Sequence, residues 1–159
     1  MTIFANPNVT HNLRNTGNAA GLSINIFNFD LADSAYKPAA IGVGDKIQIG
    51  TIPAGDALVP HLCRIDVPII DSNGTPTGSA SIGTTGFPSA LNATGAVAAA
   101  QLLSGEDFAL ATAGNIGDAN VDTPIYLTFT AAVATLAATG KITFVQITRA
   151  LRQDEPAVG

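Results

Sequence analysis

A chain of 159 residues and 16.1 kDa suits a single domain, long enough to bury roughly 68–70% of the surface its unfolded form would expose and too short for two full domains. Charged residues make up only 12% against 47% apolar, roughly half the usual charged share, so the surface is expected to be mostly neutral and polar. A formal charge of -5, with seven scattered Lys and Arg, argues against nucleic acid and anionic membranes as partners, because neutralising phosphates takes clustered cations.

Residues 1–22 hold Asn6, Asn8, Asn12, Asn15 and Asn18 with Pro7, Gly17 and Gly21. Side chains of this kind compete with regular structure by hydrogen-bonding the backbone, which predicts an extended N-terminal arm. Met1 to Thr10 has neither a basic start nor an apolar core, so no secretory signal is expected. From Leu22 onward, short runs of Ile, Val, Phe, Tyr and Thr recur between clusters of Gly, Pro, Asn and Asp. That is the pattern of an all-β, antiparallel sandwich or barrel. The domain is placed at 23–151 and a polar tail at 152–159, with strands near 23–31, 46–52, 58–70, 78–83, 108–112, 123–134 and 141–151.

The clearest period of two lies in the second and third of these strands. Ile47 and Ile49 alternate with Lys46 and Gln48, while Cys63, Ile65, Val67 and Ile69 alternate with Arg64, Asp66 and Pro68, so one face is buried. Pro68 lacks a ladder donor and places its strand at an edge or a bulge. Asp71-Ser-Asn-Gly74 reads as a turn whose Asn and Gly take positive φ, returning the chain as a hairpin into Ser79–Ile82. Gly95 to Gly105 is Ala-rich and closes on Ser-Gly, which predicts one short helix. Thr123 to Gly140 carries no charge over eighteen residues, but Pro124, five threonines and its β-branched first half read as strand and turn rather than a membrane span. Lys141 to Arg149 has apolar residues on both faces, as a central strand between packed layers should. No period of 20 to 50 residues repeats.

Catalytic options are few with two histidines and one cysteine. His61 and Cys63, two residues apart, would share a strand face and could form a metal pair or a Cys-His dyad. A zinc site needs three or four ligands, and only His11 in the expected arm could add one of the same type, so a packed thiol beside a partly exposed imidazole is the favoured reading. A lone cysteine also excludes an intrachain disulfide. Asp30, Asp33, Asp45, Asp56, Asp66, Asp71, Asp118 and Asp122 fall largely at strand ends and turns, where Asp satisfies free backbone N–H groups.

Asp71-Ser-Asn73-Gly-Thr75 has a faint calcium-loop pattern, but Pro76 stands where the loop needs glycine and Ile82 where it needs Glu. Glu106-Asp107 has no spaced acidic partner for acid–base work. Gly42-Val-Gly44 lacks the third glycine of a dinucleotide loop and leads into a strand. Asn8-Val-Thr10, Asn73-Gly-Thr75 and Asn92-Ala-Thr94 match the glycosylation triplet but are expected by chance in an Asn- and Thr-rich chain. No catalytic, cofactor or metal site is therefore expected, and the chain reads as a non-enzyme.

Three segments resemble small bacteriophage virion proteins of the capsid decoration or cement type. Gly44-Asp-Lys-Ile-Gln-Ile-Gly-Thr-Ile-Pro-Ala-Gly55 resembles a strand that ends in their Pro-Ala-Gly turn, Gly78-Ser-Ala-Ser-Ile-Gly83 a second strand, and Thr139-Gly-Lys-Ile-Thr-Phe-Val-Gln-Ile147 their closing strand. Order and spacing agree across roughly residues 44 to 147. The resemblance implies a jelly-roll sandwich, usually a homotrimer, made in the host cytoplasm and seated on the outer capsid surface against the major capsid protein. A tail, baseplate or fibre module, or a carbohydrate-binding or adhesin sandwich, is the alternative. The last would need exposed aromatics to stack on sugars, for which Tyr36 and Tyr126 are the only tyrosines and Trp is absent.

Overall fold

In a computed structural model of the chain, residues 1–5, 8–14, 21–33, 40–97, 101–104, 115–118, 120–151 and 157–158 are described. The chain is an all-β sandwich of two sheets. One sheet orders β1 (Ile3–Ala5), β4 (Lys46–Ile52), β11 (Thr123–Ala131), β7 (Ser79–Gly83) and β8 (Asn92–Ala96). The other orders β2 (Asn8–Arg14), β3 (Leu22–Asp30), β12 (Lys141–Ala150), β6 (Arg64–Val67) and β9 (Gln101–Ser104), with β5 (Asp56–Leu58) pairing β12 beside β6. A small parallel pair joins β10 (Asn115–Ile116) to β13 (Ala157–Val158).

The core lies between the sheets. On β12, Ile142, Phe144, Gln146 and Thr148 are buried while Thr143, Val145 and Ile147 are half-buried, and β3 buries Phe27 and Phe29 directly opposite Phe144 and Ile142. Aromatic and β-branched residues facing each other across an antiparallel pair are the unit of sheet stabilisation. Ile125, Leu127 and Phe129 of β11, with Ile47, Ile49 and Ile52 of β4, meet them from the other sheet.

The irregular spacing of those β4 isoleucines has a local cause. Ile125 stands opposite Gly50 and Tyr126 opposite Gln48, so Ile49 is an extra residue on β4. This bulge resets the alternation and lets 47, 49 and 52 all reach the core. A Cβ on Gly50 would lie 2.8 Å from both the Phe144 ring and Gln146 Oε1, so glycine is what allows β4 and β12 to pack across the sandwich here. Gln146 donates through Nε2 to the Thr51 carbonyl at 2.8 Å.

Four expectations are corrected. First, the 1–22 segment contributes strands to both sheets: β1 runs parallel to β4, and β2 antiparallel to β3. Phe4 packs against the core, and backbone pairing at an edge overrides the weak strand propensity of Asn. Second, no helix forms within the described part of 95–105. Ala96 and Gly95 pair with Ser79 and Ala80, and residues 101–104 pair with β6, because completing a sheet outweighs an Ala preference worth a few tenths of a kcal/mol per residue, or about 1 at most.

Third, Asp71 to Gly74 does not close a hairpin. β6 and β7 belong to different sheets, and neither Asn73 nor Gly74 takes positive φ. Fourth, the long strand expected at 58–70 is broken. A turn of 3-10 helix, Pro60–Leu62, separates β5 from β6, which pair with Thr148–Ala150 and Thr143–Val145 of β12 respectively. Pro68 follows the end of β6 rather than sitting inside it, which satisfies its missing donor without an edge position.

Strands 23–31, 46–52, 78–83 and 141–151 were legible to within a residue or so. The uncharged stretch 123–140 forms β11 and then turns, and no helix among the described residues is long and apolar enough to cross a membrane. The strand expected at 108–112, Tyr36 and Glu106-Asp107 lie outside the described residues. Of the expected tail, residues 157–158 form β13.

Candidate functional site

The chemical candidates that fall among the described residues occupy particular structural positions. His61 lies on the 3-10 turn and is exposed, whereas Cys63 follows the turn and is buried. They do not share a strand face. The break between β5 and β6 leaves the Ile147 N–H of β12 without a backbone partner on that side, and Cys63 Sγ accepts it at 3.3 Å while the thiol reaches the Val59 carbonyl at 3.3 Å. Val59 N–H returns to the Ile147 carbonyl at 2.8 Å. The thiol therefore patches an interrupted ladder. Burial pushes Cys63 up to about 11, with the Ile147 N–H acting in the opposite direction, so at neutral pH it is held as the protonated thiol and not as a thiolate nucleophile.

Asp71 is the most heavily used carboxylate. It is 1% exposed, and its Oδ2 accepts N–H groups from Gly78 at 2.8 Å and Thr77 at 3.0 Å, while Oδ1 accepts from Asn73 at 3.1 Å. Burial alone would raise its pKa, but the backbone donors of Gly78, Asn73, Thr77 and Thr135 together outweigh it and hold the carboxyl below the usual range. Around it, the Ile70 and Asp71 N–H groups reach the Val97 carbonyl and Ser72 N–H the Thr135 carbonyl. The carboxylate thus holds the 71–78 segment folded and meets the Thr135 backbone, while the N–H groups of residues 70–72 tie this crossover to the 132–137 loop and the segment after β8. Oxygens committed to N–H donors are a poor calcium cradle, and among the described residues no group of three or more His, Cys, Asp or Glu could hold a metal.

Asp45 plays a similar part at the N-terminus. It accepts Thr2 N–H at 2.6 Å through Oδ1 and Gly42 N–H at 2.8 Å through Oδ2, and those two donors, Gly42 first, lower its pKa against burial. Gly44, at φ 83, makes the turn that positions it. Thus Gly42-Val-Gly44 serves a turn that fastens β1. Asp30, Asp118 and Asp122 likewise accept nearby or crossing backbone N–H groups, and Asp56 Oδ2 accepts from the Thr148 hydroxyl at 2.9 Å. Asp66 is the exception, exposed on β6. Of the glycosylation triplets, Asn8 to Thr10 lies in β2, Asn92 to Thr94 in β8, and Asn73 to Thr75 in the Asp71 loop. His11 belongs to β2, opposite Ile26.

Beyond these groups lie the sheet edges and the exposed apolar side chains. Among the described residues, β1 and β2 end the two sheets on one side, β8 and β9 on the other. Met1, Ile3 and Val43 are exposed beside β1, at 82%, 45% and 69%. Tyr126 is buried, with Lys46 Nζ 5.1 Å from its ring centre, so it cannot stack on a sugar; Phe87 is exposed instead. That Asp45 and Asp71 accept backbone N–H groups was expected from their turn positions, whereas the service of Cys63 to the Ile147 N–H was not legible in sequence, because that donor lies 84 residues away.

No protein-family model and no curated protein matches the chain. Among solved structures, it is similar to a chain of the capsid of Ralstonia phage GP4, with 21% identity, a TM-score of 0.56, and coverage of 82% of this chain and 86% of that one. It is also similar to a chain of the cyanophage Pam1 capsid asymmetric unit, with 17% identity, a TM-score of 0.55, and coverage of 89% and 95%. The likeness is one of fold.

Proposed function

We propose that this chain is a bacteriophage virion structural protein that decorates or cements the outer surface of a capsid, bracing neighbouring capsomers as a homotrimer against the major capsid protein. The observation that carries this reading is the architecture shared with the two phage-capsid chains over most of the length. The strand orders β3-β12-β6-β9 and β4-β11-β7-β8, antiparallel throughout and joined by crossings from sheet to sheet, support the jelly-roll reading, an architecture of viral capsid domains. β1 and β2 lengthen one side of each sheet.

The physical chemistry supports a docking role. Few long charged side chains must be immobilised on association, which lowers its entropic cost. Sheet edges and the exposed Met1, Ile3 and Val43 offer main-chain and apolar contacts. A non-enzymatic role is supported by the commitment of Cys63, Asp45 and Asp71 to backbone groups. Neither nucleic acid nor membrane is a partner in this reading, and synthesis takes place in the host cytoplasm. Sedimentation of purified protein with and without expanded empty capsids tests it: a trimer that co-sediments is expected, whereas a monomer that leaves capsids bare, or label confined to tails, overturns it.

A further inference from the structure

Two polar side chains on the outer face of the β4–β11 sheet are buried without the partners that buried polar groups require. Ile47, Leu127 and Phe129 turn into the core, so their strand neighbours Lys46 and Thr128 point to the opposite face. The register sets those two directly across from each other. Lys46 is 5% and Thr128 8% exposed. Among the described residues, Lys46 Nζ meets only the Tyr126 ring, 5.1 Å from its centre, and Thr128 Oγ1 has no hydrogen-bond partner. The ring face offsets part of the cost of burying a cation but offers no lone pair to its three N–H donors.

The neighbouring polar groups are engaged elsewhere. Ser81, opposite Thr128 on β7, gives its hydroxyl to the Pro88 carbonyl at 2.9 Å. Gln48 Nε2 donates to Thr51 Oγ1 at 2.9 Å. The Asp45 carboxylate, adjacent to Lys46 in the chain, is committed to the Thr2 and Gly42 N–H groups. What the pair calls for is an acceptor that serves an ammonium and a hydroxyl together. The other described lysines and arginines, Arg14, Arg64, Lys141 and Arg149, all stand in the other sheet, so a phosphate or polyanion would meet a single positive charge. One charge and two donors match a carboxylate, which brings one negative charge and an oxygen for each donor.

We propose that Lys46 and Thr128 form a carboxylate-binding site on this outer face, Lys46 Nζ donating to one oxygen and the Thr128 hydroxyl to the other. The carboxylate comes either from a small free acid or from an acidic side chain of a second copy of this chain. A second copy brings Asp66, which is exposed on β6 and makes no hydrogen bond or ion pair among the described residues. Ile3, 45% exposed and paired with Lys46 across β1, then adds apolar contact. Only this second source rests on the assembly proposed above.

Amide NMR of the full chain at pH 7, with chloride exchanged for acetate at constant ionic strength, tests the site. Saturable shifts at Lys46, Tyr126 and Thr128 are expected. Thr128→Val keeps the shape and removes the hydroxyl, which should weaken acetate roughly tenfold. Lys46→Met keeps the apolar stem and removes the charge, which should abolish the Thr128 response. Sedimentation velocity assigns the source: with a second copy, Lys46→Met and Asp66→Asn each shift the wild-type oligomer to smaller species, whereas with a free acid both leave it unchanged. Co-sedimentation of the same variants with expanded capsids reports separately on the virion role, so either reading can fail alone. The proposal is overturned if acetate gives no saturable shift and neither variant alters sedimentation, or if the acetate response survives both Lys46→Met and Thr128→Val.

Discussion

Replacing Asp71 with alanine removes an acceptor that serves three N–H groups at 2.8, 3.0 and 3.1 Å in a site 1% exposed. Hydrogen bonds to a charged partner are worth about 1.5–3 kcal/mol each, and a buried donor left unsatisfied costs about 1–3 kcal/mol. Because the three act as one unit and the loop can relax toward water, the expected loss is roughly 3–5 kcal/mol rather than their sum. Asparagine rescues only in part, since its NH₂ must face either the Asn73 N–H or the Thr77 and Gly78 N–H groups. Urea unfolding followed by circular dichroism, at fixed protein concentration because assembly shifts apparent stability, gives the number directly.

The same variant carries a pH signature. The folded Asp71 pKa is lowered, so its contribution is fully present above the unfolded value of about 3.9 and is lost as pH falls through the folded value. The stability gap between wild type and Asp71→Ala should therefore be constant near neutrality and should narrow below about pH 4. A loss under about 1 kcal/mol at neutral pH, the usual scale of a surface change, would refute the assignment of Asp71 as the acceptor that holds the 71–78 segment in place.

Four further outcomes follow from the packing. Gly50→Ala places a methyl 2.8 Å from the Phe144 ring, and overpacking of this kind costs about 1–3 kcal/mol; an unchanged denaturation midpoint would contradict the Gly50 contact. Cys63, buried and with its thiol pushed up to about 11, should resist a soluble disulfide reagent at pH 7 and react once urea unfolds the chain; rapid native labelling would place it at the surface. Cys63→Val should cost about 1–3 kcal/mol in urea unfolding by orphaning the Ile147 N–H. Deleting residues 2–14 removes β1 and β2 and bares the edges of β3 and β4, so light scattering should report aggregation at a lower temperature; a deletion variant as stable and soluble as the full chain would restore the reading of this segment as a detached arm.

What the sequence made legible was the part that local chemistry dictates. The alternation of Ile47 and Ile49 with Lys46 and Gln48, and the β-branched run at 141–149, are local signals, and both strands occupy the expected residues, although the alternation ends at the bulge after Gln48. The helix expected from Ala-rich 95–105 failed because propensity is weak beside the pairing of Gly95 with Ala80 and of residues 101–104 with β6. The hairpin expected at Asp71 failed for a related reason. Turn residues announce that the chain bends, but not which sheet it enters, and here Asp71 steers it across the sandwich. Among candidate groups, the bland assignment of Cys63 as a packed thiol holds, while its service to Ile147, 84 residues away, leaves no trace in the spacing.

The central claim, a decoration or cement protein on a phage capsid, is tested most directly by cryo-electron microscopy of expanded capsids incubated with the purified chain. The account predicts added density on the outer shell, at three-fold-related positions, into which three copies of the two-sheet sandwich fit. Capsids without added density at saturating protein, or density only on tails, would contradict it.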